Sequence, residues 1–224
     1  MKKFRLLTAD EIECRIAQIK SNGLSLLLYK DARCDMNILD ETVGAMNWAN
    51  KYSRDNRNCT VSIYDADKGI WIAKENTGTE SYTEAEKGLA SDSFKRACVN
   101  WGIGRELYSA PFIWIDKANC NITADSIGSK YKCYDRFEVE TIEYDDKERI
   151  SGLTIVKVKG RQRDVVFTYK NPTLPGNFIK TLSDVATAHG YTEEEICSHF
   201  GVKTYAELTV EQFKRLMDSM GANG

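Results

Sequence analysis

Six short stretches within the first 170 residues either alternate hydrophobic and polar residues or are rich in β-branched residues. They cover residues 24–29, 59–65, 70–75, 136–144, 153–159 and 164–169. Alternation with a period of two is typical of strands that bury one face. The tract DADKG between the second and third stretches is a turn signal, so we expect those two strands to form an antiparallel hairpin.

Helical spacing of apolar residues appears in three other parts of this region. It predicts helices over residues 7–20 and 39–52, and a longer helix that contains KGLASDSFKRACVNWG. Two overlapping capping boxes predict where the longer helix begins, near residue 82, and Gly102 predicts its end. The boxes pair Ser81 with Glu84 and Thr83 with Glu86. One face of this helix is expected to pack on the sheet: Ala90, Phe94, Ala97, Cys98 and Trp101.

The segment NPTLPG, residues 171–176, holds two of the three prolines and predicts a domain boundary. Beyond it, Thr192 and Thr209 are expected to cap helices, and Gly190 and Gly201 to end them. We therefore expect a strand-rich domain at residues 1–170, a linker at 171–176 and a small acidic three-helix domain at 177–224. The fold class is α+β, an antiparallel sheet and hairpin packed on a long helix, with a C-terminal helical bundle.

The charge of the chain is unevenly distributed. The net charge is −2, but residues 172–224 hold four Lys/Arg against seven Asp/Glu. Contact with a polyanion should therefore come from a local patch in the larger domain. No apolar run is long enough to span a bilayer and the first residues lack the pattern of a signal peptide, so we expect a cytoplasmic protein without membrane contact.

The cysteines and histidines give no strong metal signal. Seven cysteines without a CxxC pair fit reduced thiols better than a disulfide framework. His189, Cys197 and His199 match no usual zinc spacing and are more simply explained by a helical core. We expect neither a metal nor another cofactor.

Lys95 and Arg96 stand outside the apolar face of the predicted long helix. At about 100° per residue they are expected to diverge across its outer surface, where Asp92 could pair with either. Adjacent cations on such a face are often simply solvated. Small neighbours would let an extended partner approach the helix backbone: Gly88, Ser91, Asp92 and Ser93.

The run EKGLASDSFKRACVNWGIGRELY resembles the signature helix of phage single-strand annealing proteins of the Sak type, within the Rad52-like superfamily. A second run, YKDARCDMNILDETVGAMNW, resembles that family's order of strand, arginine, helix, glycine and aromatic residue. The similarity extends over about residues 20–116. It implies a β-β-β-α core and a groove that holds the backbone of single-stranded DNA.

Carried onto this chain, the groove residues are Lys95, Arg96 and, with a one-residue shift, Arg33. Eukaryotic members have a further arginine where this chain has Val99, and Arg105 is the candidate substitute. The resemblance implies binding of single-stranded DNA and ATP-independent annealing in phage-type homologous recombination and DNA repair, without enzymatic chemistry. The implied partners are single-stranded DNA, the annealed duplex intermediate and further copies in an oligomeric ring or filament.

A second, outer DNA site is conceivable on the predicted hairpin. Trp71 alternates with Ile70 and Ile72 and is available for base stacking or subunit contact, whereas Trp101 falls on the packed face. Lys68 and Lys74 would supply the charge, although lysines on hairpins also serve solubility.

The sequence bears on three other classes of function. The main alternative is a non-catalytic adaptor whose acidic C-terminal domain binds a single-strand-binding protein or another replication protein. A metal-dependent nuclease is more distant, because the carboxylates around Asp65 and Asp145 do not form the convergent set that two-metal chemistry needs. The phosphate-binding motif of P-loop proteins does not occur.

Overall fold

The computed structural model describes residues 3–79, 85–124, 130–170 and 174–221; for residues 85–87 it describes the backbone alone. The chain forms two compact units, residues 1–169 and 170–224, each with its own hydrophobic core. The fold class is α+β with antiparallel sheets, as predicted.

The strands lie in the first unit. In chain order they are β1 (Glu13–Lys20), β2 (Gly23–Tyr29), β3 (Trp48–Ser53), β4 (Asn58–Asp65), β5 (Ile70–Thr77), β6 (Ile113–Asp116), β7 (Ile122–Ala124), β8 (Tyr131–Cys133), β9 (Arg136–Tyr144), β10 (Ile150–Lys159) and β11 (Gln162–Lys170). They form a six-stranded sheet in the order β11-β10-β9-β1-β2-β6, a three-stranded sheet β3-β4-β5 and a two-stranded β7-β8 ribbon. The described helices of this unit are α1 (Ala32–Val43) and α2 (Ala85–Trp101).

Helix α2 packs on β4 and β5 through the face predicted from the sequence. Phe94, Ala97 and Cys98 are fully buried there, and the Trp101 indole N–H donates to the Val61 carbonyl oxygen at 3.1 Å. The hairpin of β4 and β5 is also confirmed, with a ladder that ends at the pair Asp65 and Ile70. The predicted capping boxes at residues 81–86 lie outside the residues whose side chains are described.

The helix predicted over residues 7–20 is wrong. The structure has a short 3-10 turn at Ala9–Glu11 and then strand β1, which pairs with β2. The register of that pair shifts by one residue between Ile16 and Gln18, and this bulge puts Ile19 back on the core side. Ile12, Ile16 and Ile19 therefore acquire the spacing of a helix although the backbone is extended.

The helix predicted over residues 39–52 is misplaced by about two turns, because α1 begins at Ala32 and ends at Val43. Helix α1 begins where the Asp31 carboxylate accepts a hydrogen bond from the Cys34 N–H at 2.9 Å. It ends at Gly44, whose φ of +87° favours glycine. The chain continues as strand β3 from Trp48. The predicted helix therefore covers the end of α1, the connection after it and most of β3.

The second unit contains α3 (Gly176–Ala188), α4 (Glu193–Phe200) and α5 (Val210–Ser219). Thr192 and Thr209 cap α4 and α5 with complete capping boxes, as expected. Of the predicted linker, residues 171–173 lie outside the described part of the chain. Leu174 is buried in the core of this unit and its N–H donates to the Leu208 carbonyl oxygen, so the unit begins before the predicted residue 177.

All seven cysteines are free, and each is buried or half-buried. Burial raises the pKa of every one of these thiols, to about 12 for Cys14 and Cys34 and to about 11 for Cys59. The described residues contain no group of three or more histidine, cysteine or acidic side chains that could hold a metal ion. Within the same residues, no helix has both the length and the apolar character needed to cross a bilayer.

Candidate nucleic-acid interface

An open cleft of about 310 Å³ lies between helix α2 and the carboxyl end of strand β2. Helix α2 contributes both residues of the predicted cationic pair, Lys95 and Arg96. Lysine or arginine outnumbers acidic residues by three to one in its lining, because Lys30 adds to this pair and Asp92 opposes it. The other lining residues are Leu27, Leu28, Tyr29, Val99, Gly104, Leu107 and Tyr108.

Lys95 forms no ion pair with any residue in the described part of the chain. Its ammonium nitrogen lies 5.9 Å from the centroid of the Tyr29 ring, within the range of a cation–π contact. That contact orients the ammonium group but does not neutralise it. Lys95 is therefore available to an anionic ligand in the cleft.

Arg96 is partly committed to its own helix. Its Nε donates to the Asp92 carboxylate one turn earlier, at 2.9 Å. Burial opposes ionisation of Asp92, but hydrogen bonds from the Thr79 N–H and from Arg96 outweigh it and hold the pKa of this carboxyl below its usual value. Asp92 thus stays charged and holds the Arg96 guanidinium at the edge of the cleft.

The expectation that Lys95 and Arg96 diverge across an outer surface is wrong. Both are half-buried, and the same cleft receives both side chains. The small residues of α2 also have a different role from the predicted one. Ser93 is fully buried, and a Cβ added at Gly78, just after β5, would lie 2.7 Å from the Ser93 backbone nitrogen. The segment that closely approaches this helix is therefore part of the same chain, the stretch just after β5.

The floor of the cleft contains a buried ion pair that sequence reasoning missed. The Lys30 ammonium group contacts the Asp35 carboxylate, and the two side chains are 4% and 0% exposed. Burial raises the pKa of Asp35 to about 6, against the opposing influence of Lys30 and Lys95. The second oxygen of this carboxylate has no hydrogen-bond partner among the described residues. The sequence contained one sign of this ion pair. Asp35 lies three and four residues before Ile38 and Leu39, so on a helix it shares their apolar face and needs a buried partner.

Gly104 makes room for Lys30. Its φ is +70°, and an added Cβ would lie 2.0 Å from Lys30 Cε. The glycine-rich break after α2 therefore serves the cleft floor directly, because any larger residue would displace the buried lysine.

Two other predicted cations contact the carboxyl end of α2. The Arg105 guanidinium donates to the carbonyl oxygens of Val99 at 2.9 Å and Asn100 at 3.2 Å. The Lys74 ammonium donates to the same Asn100 oxygen at 2.8 Å and lies 4.3 Å from the centroid of the Trp101 ring. Cations at these positions satisfy carbonyl groups that the helix leaves open and oppose its dipole.

The remaining predicted site residues lie away from the cleft lining. Arg33 is on the first turn of α1, 86% exposed and paired with Asp31. Lys68 pairs with Asp65 at the hairpin turn, at 3.1 Å. Trp71 is exposed on the hairpin beside the Tyr64 ring, with 5.5 Å between ring centroids. The structure thus brings Lys95 and Arg96 together and leaves Arg33, Lys68 and Trp71 elsewhere.

One comparison with known families bears on this cleft. Residues 58–124 match the Rad52/22 family double-strand break repair protein. The Rad52/22 match covers less than half of the chain; it begins with β4 and runs through β5, α2 and β6 to the end of β7. It therefore includes the helical wall of the cleft, with Lys95 and Arg96, but not the wall formed by β2. No curated protein and no solved structure matched the chain.

Proposed function

We propose that this protein binds single-stranded DNA and anneals complementary strands without ATP, in homologous recombination and DNA repair of the phage type. The observation that carries the proposal is Lys95, a half-buried cation without an ion pair among the described residues. It stands beside Arg96 in a net positive cleft, on a helix that lies inside the match to a double-strand break repair family. We also propose that β3, β4, β5 and α2 are the β-β-β-α core of a Rad52-like fold.

The proposed chemistry is electrostatic and needs no bond to be broken. Complementary strands repel each other through their phosphates, and cations along a groove reduce that repulsion by neutralising the backbone. Contacts to phosphates carry no sequence information, so the bases remain available for pairing. A cleft lined by two neighbouring cations suits this task better than two-metal hydrolysis, which requires a converging set of acidic residues.

A single cleft can neutralise only a few phosphates. The proposal therefore includes a homo-oligomer, a ring or a filament, in which copies of the cleft line up along one strand. The cellular setting that we propose is the cytoplasm of a bacterial host. The acidic second unit is then free to bind a single-strand-binding protein or another replication protein.

The test is the annealing rate of two complementary dye-labelled oligonucleotides, followed by energy transfer in the absence of ATP. We expect wild-type protein to accelerate annealing and Lys95→Ala/Arg96→Ala to lose about tenfold or more of that acceleration. The matched control is Lys159→Ala/Arg161→Ala, which removes two exposed cations at the turn between β10 and β11. This control should anneal at the wild-type rate.

Three results would overturn the proposal. An unchanged annealing rate in the Lys95/Arg96 variant, with the same oligomeric state as wild type, would remove the cleft from the mechanism. Folded wild-type protein that accelerates nothing would favour the adaptor function instead. Magnesium-dependent degradation of the labelled strands would favour a nuclease.

A further inference from the structure

A strip of exposed apolar side chains borders the cationic cleft. We call Leu27, Phe112 and Trp114 the outer strip. Leu27 is 60% exposed and Phe112 is 77% exposed, whereas Trp114 is half-buried. Large apolar side chains gathered on one surface mark an interaction site more often than isolated ones do.

The pairing of β2 with β6 explains why these residues face outward together. Leu26 and Ile113 are paired and point into the core, where they are 3% and 1% exposed. Leu27 follows Leu26 in β2 and Trp114 follows Ile113 in β6, so both point to the opposite face. Phe112 is the residue just before β6 and is exposed.

The two rings of the outer strip are held in place by the protein. Their planes differ by 19° and their centroids are 6.3 Å apart. The Trp114 indole N–H donates to the Asp116 carboxylate at 3.1 Å. A Cβ added at Gly23 would lie 2.6 Å from the indole, so this ring packs directly on the backbone of β2. The strip is a prearranged aromatic surface.

Two cations lie near Leu27 of the outer strip, and the Asp116 carboxylate at its other end already accepts the hydrogen bond of the Trp114 indole. Leu27 also lines the cleft that holds Lys95, so the apolar strip and the cationic cleft form one continuous surface. On the other side of β2, the residue paired with Leu27 is the exposed Arg15 of β1. The combination suits a ligand with a regularly anionic backbone and flat apolar faces, and does not suit an acidic or apolar protein surface equally well. Single-stranded nucleic acid has both features.

We propose that the outer strip stacks against nucleobases of the single-stranded DNA whose phosphates lie at Lys95 and Arg96. The inference rests on the proposed function and extends it from backbone binding to base contact. Stacking on aromatic rings uses the faces of the bases and tolerates any sequence. The edges that pair with a second strand stay exposed, so this contact is compatible with annealing.

The test compares two oligonucleotides of equal length, oligo(dT) and an abasic strand that keeps the phosphates but lacks the bases. We expect Phe112→Ala to weaken binding to oligo(dT) about tenfold and to leave binding to the abasic strand unchanged. Lys95→Ala should weaken binding to both strands and lower the salt dependence of binding, because it removes a phosphate contact. Phe112→Tyr keeps a ring and should bind as wild type does.

Tyr134→Ala is the matched control, since it removes an 85% exposed aromatic ring away from the cleft lining. The inference is wrong if Phe112→Ala binds oligo(dT) as tightly as wild type, or if it weakens both strands equally. It is also wrong if Phe112→Ala dissociates the oligomer, which would identify the strip as a contact between copies. Wild type that binds neither strand would instead overturn the proposed function itself.

Discussion

The cleft beside α2 and the tip of the β4–β5 hairpin look similar in sequence and differ in structure. Both regions combine lysine with aromatic residues, and both are candidates for contact with DNA. In the cleft, Lys95 keeps its charge available and lies over the Tyr29 ring. On the hairpin, Lys68 pairs with Asp65, and Lys74 turns inward to a helix carbonyl oxygen.

The difference shows that the number of cations in a segment is a poor guide to how well that segment can bind an anionic ligand. An ammonium group already bound to a carboxylate or a carbonyl oxygen must lose that contact before it can bind a phosphate. The cleft keeps a cation open because the carboxylates around it have other partners: Asp92 pairs with Arg96, and the buried Asp35 contacts Lys30. The predictions below test whether this contrast holds.

The largest effect is expected at the cleft floor. Gly104→Ala forces a side chain into the space of Lys30 at a backbone conformation that disfavours alanine, and should lower the free energy of unfolding by about 3 kcal/mol. Gly160→Ala is the control, because its φ is +60° but no atom lies within 4 Å of the added Cβ. We expect a loss of about 1 kcal/mol there. All four tryptophans lie in the first unit, so their fluorescence during urea denaturation reports its unfolding.

Equal losses in the two glycine variants would mean that only the backbone conformation matters. The close fit between Gly104 and the buried lysine would then have no energetic weight.

Protonation of Asp35 and protonation of Asp65 should have opposite effects on the free energy of unfolding. Burial raises the pKa of Asp35 to about 6 from 3.8, so its contribution to stability is complete below pH 4 and is lost as pH rises through 6. Relative to Asp35→Asn, wild type should therefore gain about 2 kcal/mol between pH 7 and pH 4. The hydrogen bond from Lys68 lowers the pKa of Asp65, so wild type should lose its advantage over Asp65→Asn below pH 4.

Urea denaturation at a series of pH values measures both differences. If Asp35→Asn does not fold, carbon-13 NMR of the wild-type carboxyl groups gives the same answer. An Asp35 carboxyl group that titrates near its ordinary pKa would contradict the dominance of burial over the attraction of Lys30.

The smallest effect is expected on the hairpin. Lys74→Met keeps much of the packing against Trp101 but removes the hydrogen bond to the Asn100 oxygen, and should cost about 1 kcal/mol of unfolding free energy. Its affinity for single-stranded DNA should stay within about twofold of wild type at fixed salt, because this lysine already has a partner. Lys68→Ala should change that affinity as little. A large loss in either variant would restore the outer DNA site and erase the contrast with the cleft.

Much of the architecture could be read from the sequence because local signals agree with the final packing. The alternating strands at residues 136–144, the β4–β5 hairpin and the apolar face of α2 are examples. The two helix errors arose where tertiary structure overrides the pattern: a bulge in β1 imitates helical spacing, and Gly44 ends α1 early. Only the helical wall of the cleft, with Lys95 and Arg96, could be predicted from the sequence. Its floor could not, because long-range packing brings Lys30 and Asp35 under Lys95. The outer strip depends on the register of β2 and β6, which no local pattern specifies.

The complete or partial burial of all seven thiols has a practical consequence. Thiolates, not thiols, react with maleimides, and the raised pKa of each cysteine leaves very little thiolate at neutral pH. A single cysteine introduced on the surface, for example by Tyr134→Cys, should therefore take a fluorophore selectively without removal of the native ones. The proposed subunit exchange and strand capture could then be followed one molecule at a time in an otherwise unaltered chain.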